Sequence, residues 1–191
     1  MSLLVDGSHV KLSRLARLVA FDDRLLRRLV ANRRSRLMFL LRTLCRMYDP
    51  DMVTMGVAVA LFAQPLVPMA NYAALALVFT SLLVVVVKRA VKRTRPAVDI
   101  QGVVPPDRFS FPSGHTAAAF ALAIAMFGAA PWLAPILLLL AIGVGYGRMY
   151  LGVHYPLDVA AGAALGLLTG SVIAVIDWPT AITLPFVVPG L

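Results

Sequence analysis

The chain has 191 residues, of which 60% are apolar and 14% charged, with 18 lysines and arginines against nine aspartates and no glutamate. Soluble domains are about 45–50% apolar, so this composition excludes an ordinary water-soluble domain and predicts an integral membrane protein. The basic excess lacks the basic–aromatic groove pattern of nucleic-acid-binding domains, so we expect anionic membrane lipids as partners and no nucleic acid.

Residues 11–48 have a helical pattern, in which leucines recur every three or four positions and arginines occupy the opposite side. This pattern is typical of helices that lie in the membrane interface, and residues 1–50 are predicted to form such a basic region. A solvated charged helix is the alternative interpretation. Asp22 or Asp23 would cap a second helix after a break near Phe21. The triplet Asp49-Pro50-Asp51 breaks the pattern and begins the next segment.

Five apolar segments follow and predict an all-α polytopic bundle of about five transmembrane helices within residues 51–178. The predicted spans are 52–64, 71–87, 115–128, 133–150 and 157–176. In the last span, glycines recur every fourth position, which permits close helix packing within one chain or between two copies. The oligomeric state therefore stays open. Residues 179–191 contain three prolines and are predicted to form an irregular tail.

The cations predict the orientation of the bundle. Eleven lie within residues 11–46, six within residues 88–108, and the last is Arg148. Five crossings place all three groups on the same side. The positive-inside rule makes that side the cytoplasmic face of a bacterial plasma membrane.

Polar stretches interrupt the apolar segments at three places, and the first holds Lys88 and Arg95. These residues are seven positions apart, about two helical turns, so both would project from one face where the second span leaves the membrane. Pro96 ends any helix there. Such a group of cations suits a phosphate. Snorkelling of positive charges at the membrane surface is the alternative interpretation.

The second polar stretch is Pro112-Ser113-Gly114-His115, directly before the third span. Backbone N–H groups at a helix start bind anions, with support from the helix dipole. Gly114 would allow an oxyanion to approach closely, and the Ser113 hydroxyl would add a donor. His115 can transfer a proton near neutral pH, although a structural histidine is the alternative.

The third polar stretch contains Arg148, His154 and Asp158. His154 and Asp158 are four residues apart at the start of the fifth helix, close enough for the carboxylate to hold one imidazole nitrogen. That contact would fix the tautomer and leave the other nitrogen free to attack. The alternative is that Asp158 only caps the helix.

In order and spacing, these motifs resemble the type 2 phosphatidic acid phosphatase superfamily, which also includes the vanadium haloperoxidases. The resemblance covers about residues 71–176 and rests on three motifs: Lys88 with Arg95-Pro96, then Pro112-Ser113-Gly114-His115, then Arg148 with His154 and Asp158. One position departs from the family pattern, because Gly147 stands where the family usually has a serine.

The resemblance implies a membrane-embedded lipid phosphatase that needs no metal or other cofactor. His154 would be the nucleophile that forms a phosphohistidine, Asp158 would orient it, and His115 would act first as acid and then as base. The phosphate ligands would be Lys88, Arg95, Ser113, Gly114 and Arg148. Three histidines, one cysteine and no glutamate also leave no obvious set of metal ligands.

The same resemblance implies phosphatidic acid, phosphatidylglycerol phosphate, and polyprenyl phosphates or diphosphates as candidate substrates. Two alternatives stay open at this point: a lipid phosphotransferase that uses the same histidine, and a non-enzymatic lipid-binding or transport protein. The haloperoxidases of the family are soluble, whereas this chain is predicted to cross a membrane.

Overall fold

The computed structural model describes residues 14–98 and 107–176. Within these ranges the regular structure is helical, apart from an isolated antiparallel bridge between Thr94 and Phe109. The helices in chain order are α1 (Arg14–Ala31), α2 (Ser35–Met47), α3 (Pro50–Leu61), α4 (Val67–Val91), α5 (Gly114–Ala129), α6 (Ala134–Tyr150) and α7 (Pro156–Val175), with a short 3₁₀ turn at Gln64–Leu66. The predicted all-α class is confirmed, and helices α3 to α7 correspond to the five predicted spans.

Helix α5 lies at the centre of the bundle, in contact with α4, α6 and α7. It is built around small residues, and its alanines at positions 117, 119, 121, 123 and 125 are fully buried. The α7 glycines Gly162, Gly166 and Gly170 face this helix, and a Cβ atom on any of them would lie closer than 3.0 Å to backbone atoms at or near α5. The glycine stripe is therefore a packing surface within this chain, where the two backbones approach each other closely.

The outer surface of the bundle is apolar. Leu82 of α4, Leu139 of α6 and Leu168 of α7 are 62%, 71% and 62% exposed. Helices α4 and α7 are long and apolar enough to cross a membrane, and α3, α5 and α6 are shorter apolar helices. An apolar surface of this extent is unfavourable in water and favourable in lipid, as expected for an all-α membrane bundle.

Helix α1 packs against α6 and α7, and helix α2 packs against α6. Leu26 of α1 and Leu41 of α2 are buried. The predicted break near Phe21 is wrong, because α1 continues to Ala31 and the chain turns at residues 32–34. Asp22 lies inside α1 and does not cap a second helix of this region; its carboxylate instead accepts from Arg93 and from the Leu157 N–H at the start of α7. The predicted tail at 179–191 lies outside the described residues.

Candidate active site

Lys88 and Arg95 come together, but not on one helical face as predicted. Helix α4 ends at Val91 because Lys92 adopts a left-handed conformation with φ of 52°. Arg95 therefore lies in an extended segment beyond the helix. Ser110 holds this segment in place: its N–H donates to the Arg93 carbonyl at 2.8 Å and its hydroxyl donates to the Thr94 carbonyl at 2.9 Å.

Asp107 joins these two cations. Its Oδ2 atom accepts from Lys88 Nζ at 2.7 Å, and its Oδ1 atom accepts from Arg95 Nη2 at 3.0 Å. Partial burial by itself would raise the pKa of Asp107, but the hydrogen bond and charge of Lys88, with those of Arg95, lower it below its usual range. A carboxylate thus lies between two of the predicted phosphate ligands, a contact that no sequence pattern indicated.

Gly114 and Ser113, which are both predicted phosphate ligands, have different surroundings at the start of α5. Gly114 lines the cavity described below, and a Cβ there would meet only Val84 Cγ1, at 3.5 Å. Ser113 is fully buried: its hydroxyl lies 2.9 Å from Thr116 Oγ1, and its N–H donates to the Asp158 carbonyl at 2.9 Å. In this structure Ser113 therefore connects α5 to α7 and does not line the cavity.

His115 has a carboxylate partner that the sequence analysis missed. Its Nε2 atom lies 2.6 Å from Oδ1 of Asp49, between α2 and α3, and its side chain is 7% exposed. The other Asp49 oxygen accepts from Arg46 Nη1 at 2.6 Å. The sequence signal at Asp49 is an aspartate at the edge of an apolar segment, a pattern that by itself predicts only a break in the helix.

A tight turn after α6 brings His154 next to Arg148. Gly152 has φ of 81°, in the left-handed region that favours glycine. The N–H groups of Val153 and His154 then both donate to the Arg148 carbonyl at 3.2 Å. The number of residues between Arg148 and His154 in the motif is therefore the number that this turn needs to bring the two residues together.

The environment of His154 favours its neutral form. The side chain is almost completely buried, with Nε2 3.3 Å from Arg95 Nη1 and Nδ1 3.6 Å from Asp158 Oδ2. Burial, with the charges of Arg148 and Arg95, lowers the pKa of His154 to about 4, and Asp158 only partly opposes this shift. At neutral pH the unprotonated Nε2 faces the cationic side of the site, as a nucleophile requires.

Asp158 is fully buried behind His154 and is held on both sides. Its Oδ1 atom accepts from Arg93 Nη1 at 2.8 Å, and its Oδ2 atom accepts from the Tyr155 N–H at 2.9 Å. Arg93 also bonds Asp22 of α1 and stacks over the Tyr155 ring at 4.0 Å. Asp22 in turn accepts from the Leu157 N–H at 2.9 Å. No sequence motif predicts this connection.

Arg148 is 1% exposed, and within the described ranges its Nε and Nη2 atoms have no hydrogen-bond partner. The Cys45 thiol lies beside its guanidinium. A Cβ on Gly147 would lie 2.8 Å from Cys45 Sγ. This contact accounts for the departure from the family motif, because the sulfur fills space that a serine side chain at position 147 would need.

The three motif stretches meet in one cavity of about 230 Å³. One end is formed by the side chains predicted to bind phosphate or transfer protons: Lys88, Arg95, His115, Arg148 and His154, together with Gly114. The remaining wall comes from α3, α4 and α5 and is mainly apolar, with Val53, Leu77, Val84, Val85 and Ala118 among its residues. A cavity with one cationic end and one apolar end fits an amphiphilic anion.

The family model of the PAP2 superfamily matches residues 69–181. The decaprenylphosphoryl-5-phosphoribose phosphatase of Mycobacterium tuberculosis is 41% identical over 92 residues, which cover 47% of this chain and 50% of the relative. The chain thus spans about half the length of this curated relative.

Two solved structures share the fold. The transmembrane PAP2-type phosphatidylglycerolphosphate phosphatase of Bacillus subtilis superposes with a TM-score of 0.70 at 24% identity, over 82% of this chain and 84% of the other. Aquifex aeolicus LpxE superposes with a TM-score of 0.64 at 28% identity, over 79% and 92%.

Proposed function

We propose that this chain, which belongs to the PAP2 superfamily, is a lipid phosphatase that hydrolyses a phosphate ester or pyrophosphate at the headgroup of a membrane lipid. The observation that carries the proposal is the buried Arg148 guanidinium in the cavity wall, with two nitrogen atoms unpartnered among the described residues. A buried cation is unfavourable unless an anion or hydrogen-bond acceptor compensates it. A bound phosphate would supply that partner between Arg148, Arg95 and Lys88.

In the first step, His154 Nε2 attacks phosphorus while the bond from phosphorus to the leaving oxygen breaks. His115 donates its proton to that oxygen, so the lipid alcohol, or lipid phosphate, departs protonated. The phosphoryl group remains on His154, and Asp158 stabilises the positive charge that develops on the imidazole. The guanidinium and ammonium groups bind the non-bridging oxygens, where charge concentrates in the transition state.

In the second step, water attacks the phosphohistidine. His115, now neutral, accepts a proton from the water as its oxygen bonds to phosphorus. The bond from phosphorus to His154 breaks, which restores the neutral nucleophile and releases inorganic phosphate. The same two histidines thus serve both half-reactions.

The apolar wall and the relatives together support a polyprenyl lipid as substrate class. The cavity continues from the cationic end along apolar side chains of α3 and α4, where a lipid chain would lie. Several relatives are named for polyprenyl substrates, among them an undecaprenyl-diphosphatase of Sulfolobus acidocaldarius that is 40% identical over 62 residues. Phosphatidic acid and phosphatidylglycerol phosphate are the competing substrates.

The site would face the cytoplasm of a bacterial plasma membrane, with residues 1–50 as an interfacial region beside it. Lysines and arginines concentrate on α1, α2 and the end of α4, near the cavity end that holds both histidines. Ala97→Cys, an exposed position in the adjacent loop, tests this orientation, because the native Cys45 is buried. If a membrane-impermeant thiol reagent labelled this cysteine from outside intact cells, the site would face outward, contrary to the proposal. The wild-type protein is the control.

The activity is tested by phosphate release from a panel of purified polyprenyl phosphates, polyprenyl diphosphates and phospholipid phosphates in detergent. We expect turnover by the wild type and none by His154→Ala, with an acid-labile phosphoryl label on the wild-type protein only. Thermal unfolding of both proteins verifies that the variant is folded. Normal turnover by folded His154→Ala would refute the mechanism.

A further inference from the structure

Residues 14–51, which form α1, α2 and the start of α3, lie outside the family match, yet they contribute two aspartates to the site. Residues 14–51 contain two closely spaced pairs, Asp22 with Asp23 and Asp49 with Asp51. One member of each pair is directed into the fold, with its side chain 1% and 22% exposed for Asp22 and Asp49. The other member is more exposed, 32% for Asp23 and 56% for Asp51.

Among the described residues, the two more exposed aspartates pair with arginines on the protein surface. Asp23 accepts from Arg27 at 2.7 Å, and Asp51 accepts from Arg46 at 3.3 Å. Ion pairs of this kind contribute little to stability. Asp23 is therefore a matched control for Asp22, and Asp51, which shares Arg46 with Asp49, controls for the loss of a carboxylate from that arginine.

Asp22 is linked to the nucleophile through two further residues. Its carboxylate holds Arg93, and Arg93 Nη1 donates to Asp158 Oδ1 at 2.8 Å. The second Asp22 oxygen accepts from the Leu157 N–H at the start of α7, so Asp22 also fixes the backbone next to Asp158. Without Asp22, the partners left to Arg93 in the described part of the chain would be the Asp158 carboxylate and the Tyr155 ring. Both would then be free to shift relative to His154.

Asp49 is linked to the proposed acid directly. It lies 2.6 Å from His115 Nε2, and Arg46 holds its other oxygen. A carboxylate in this position fixes the orientation of the ring and stabilises the protonated imidazole, which carries a proton on each nitrogen. One proton is then held by Asp49, and the other is available to a leaving oxygen.

We propose that the N-terminal helices complete the active site by supplying one positioning carboxylate to each histidine: Asp22 to His154, through Arg93 and Asp158, and Asp49 to His115. This inference rests on the proposed function. It also gives the N-terminal region a role in the chemical step in addition to any role at the membrane surface.

Leaving-group dependence distinguishes the two positions. An aliphatic phosphate needs a proton on its leaving oxygen in the first step, whereas p-nitrophenyl phosphate releases a phenolate that does not. General acid catalysis contributes about 10²–10⁴-fold, so Asp49→Asn should lower kcat/KM about 10-fold or more on the lipid phosphate and less than about 3-fold on p-nitrophenyl phosphate. Asp22→Asn acts on the nucleophile and should lower kcat/KM by a similar factor on both substrates.

Control variants test whether a loss of activity is specific to Asp22 and Asp49. Asp23→Asn and Asp51→Asn should retain wild-type kcat/KM on both substrates. If Asp22→Asn does not fold, Arg93→Gln tests the same link, and Asp22→Glu should restore part of the activity. Wild-type kinetics for folded Asp49→Asn and Asp22→Asn would overturn the inference, as would equal losses in the control variants. Activity of folded His154→Ala would instead refute the proposed function itself, so the two failures are distinguishable.

Discussion

Gly147 on α6 and Cys45 on α2 occupy adjoining space, and a paired substitution can test how this contact shapes the site. In Gly147→Ser, the added Cβ would lie 2.8 Å from Cys45 Sγ and 3.5 Å from Leu41 Cβ. Cys45 is only 2% exposed and packs in a buried cluster with Leu151 and Val153, so the sulfur has little room to move. Overpacking of this kind destabilises by about 1–3 kcal/mol. For a chain of this size, 2 kcal/mol lowers Tm by roughly 4–8 °C.

The second substitution, Cys45→Ala, removes the sulfur atom that the serine side chain would contact. Cys45→Ala alone should destabilise by about 1 kcal/mol, because it leaves a small buried cavity. In Gly147→Ser/Cys45→Ala, the serine side chain takes the space that the sulfur vacates. We therefore expect a favourable coupling free energy of about 1–2 kcal/mol between the two positions. Burial raises the pKa of the Cys45 thiol to about 11, so the exchange replaces one neutral group by another beside Arg148.

The assay combines Tm in detergent with the initial rate of phosphate release. Gly147→Ser should lose both stability and activity, since Arg148 follows position 147 directly and its guanidinium lies beside Cys45. The double variant should recover much of both. Gly56→Ser is the control, because a Cβ at Gly56 has nothing within 4 Å. Strictly additive effects of the two substitutions, or a Gly147→Ser variant as stable as Gly56→Ser, would refute the reasoning.

Further predictions concern the contacts of Asp107 with Lys88 and Arg95, two glycines, and the pH dependence of kcat/KM. Asp107→Asn removes a carboxylate that competes with phosphate for Lys88 and Arg95. Allowing for the partial exposure of Asp107, inorganic phosphate should inhibit the variant with a Ki roughly 5-fold lower, about 1 kcal/mol. An unchanged Ki would contradict this prediction. Gly114→Ala should change stability by less than about 0.5 kcal/mol, because its Cβ would contact Val84 at an ordinary distance. It should raise KM, because Gly114 lines the cavity beside His115 and the added methyl group would take up part of that space. Gly166→Ala should lower Tm markedly, since its Cβ would lie 2.8 Å from Phe120 Cβ and 2.9 Å from the Ala121 nitrogen. Only the neutral form of His154 attacks, and the pKa of His154 is lowered to about 4. The decrease of kcat/KM toward acid pH, corrected for ionisation of the substrate, should therefore have its midpoint near pH 4. A midpoint near the ordinary histidine pKa would show that His154 is not the titrating nucleophile.

The helical bundle could be predicted because its signal is local. Long apolar segments separated by prolines and polar stretches define α3 to α7 with boundaries that shift by a few residues. The end of α4 could not be placed, since it depends on the left-handed conformation of Lys92 and on the pairing of the following segment with residues 109–110. Arg95 therefore reaches Lys88 by a different path from the predicted shared helical face.

The site could be predicted only where motif spacing encodes geometry. Arg148 and His154 are brought together by one turn, and His154 and Asp158 by the start of one helix, so their spacing indicates their arrangement. Asp22, Asp49 and Asp107 each contact a residue that is distant in the sequence or lies on another element. Their partners depend on how α1 and α2 pack over the bundle and on where residues 107–110 lie beside the end of α4.

The sequence alone determined the membrane class and the helical architecture, and it provided the residues proposed to bind phosphate, because hydrophobic length, turn chemistry and short-range spacing are properties of neighbouring residues. The tertiary structure decided which carboxylate each histidine and cation faces. Those contacts join side chains up to 71 residues apart in the chain, as between Asp22 and Arg93. A charged side chain removed from water must find a partner, and only the packed bundle determines which one is within reach.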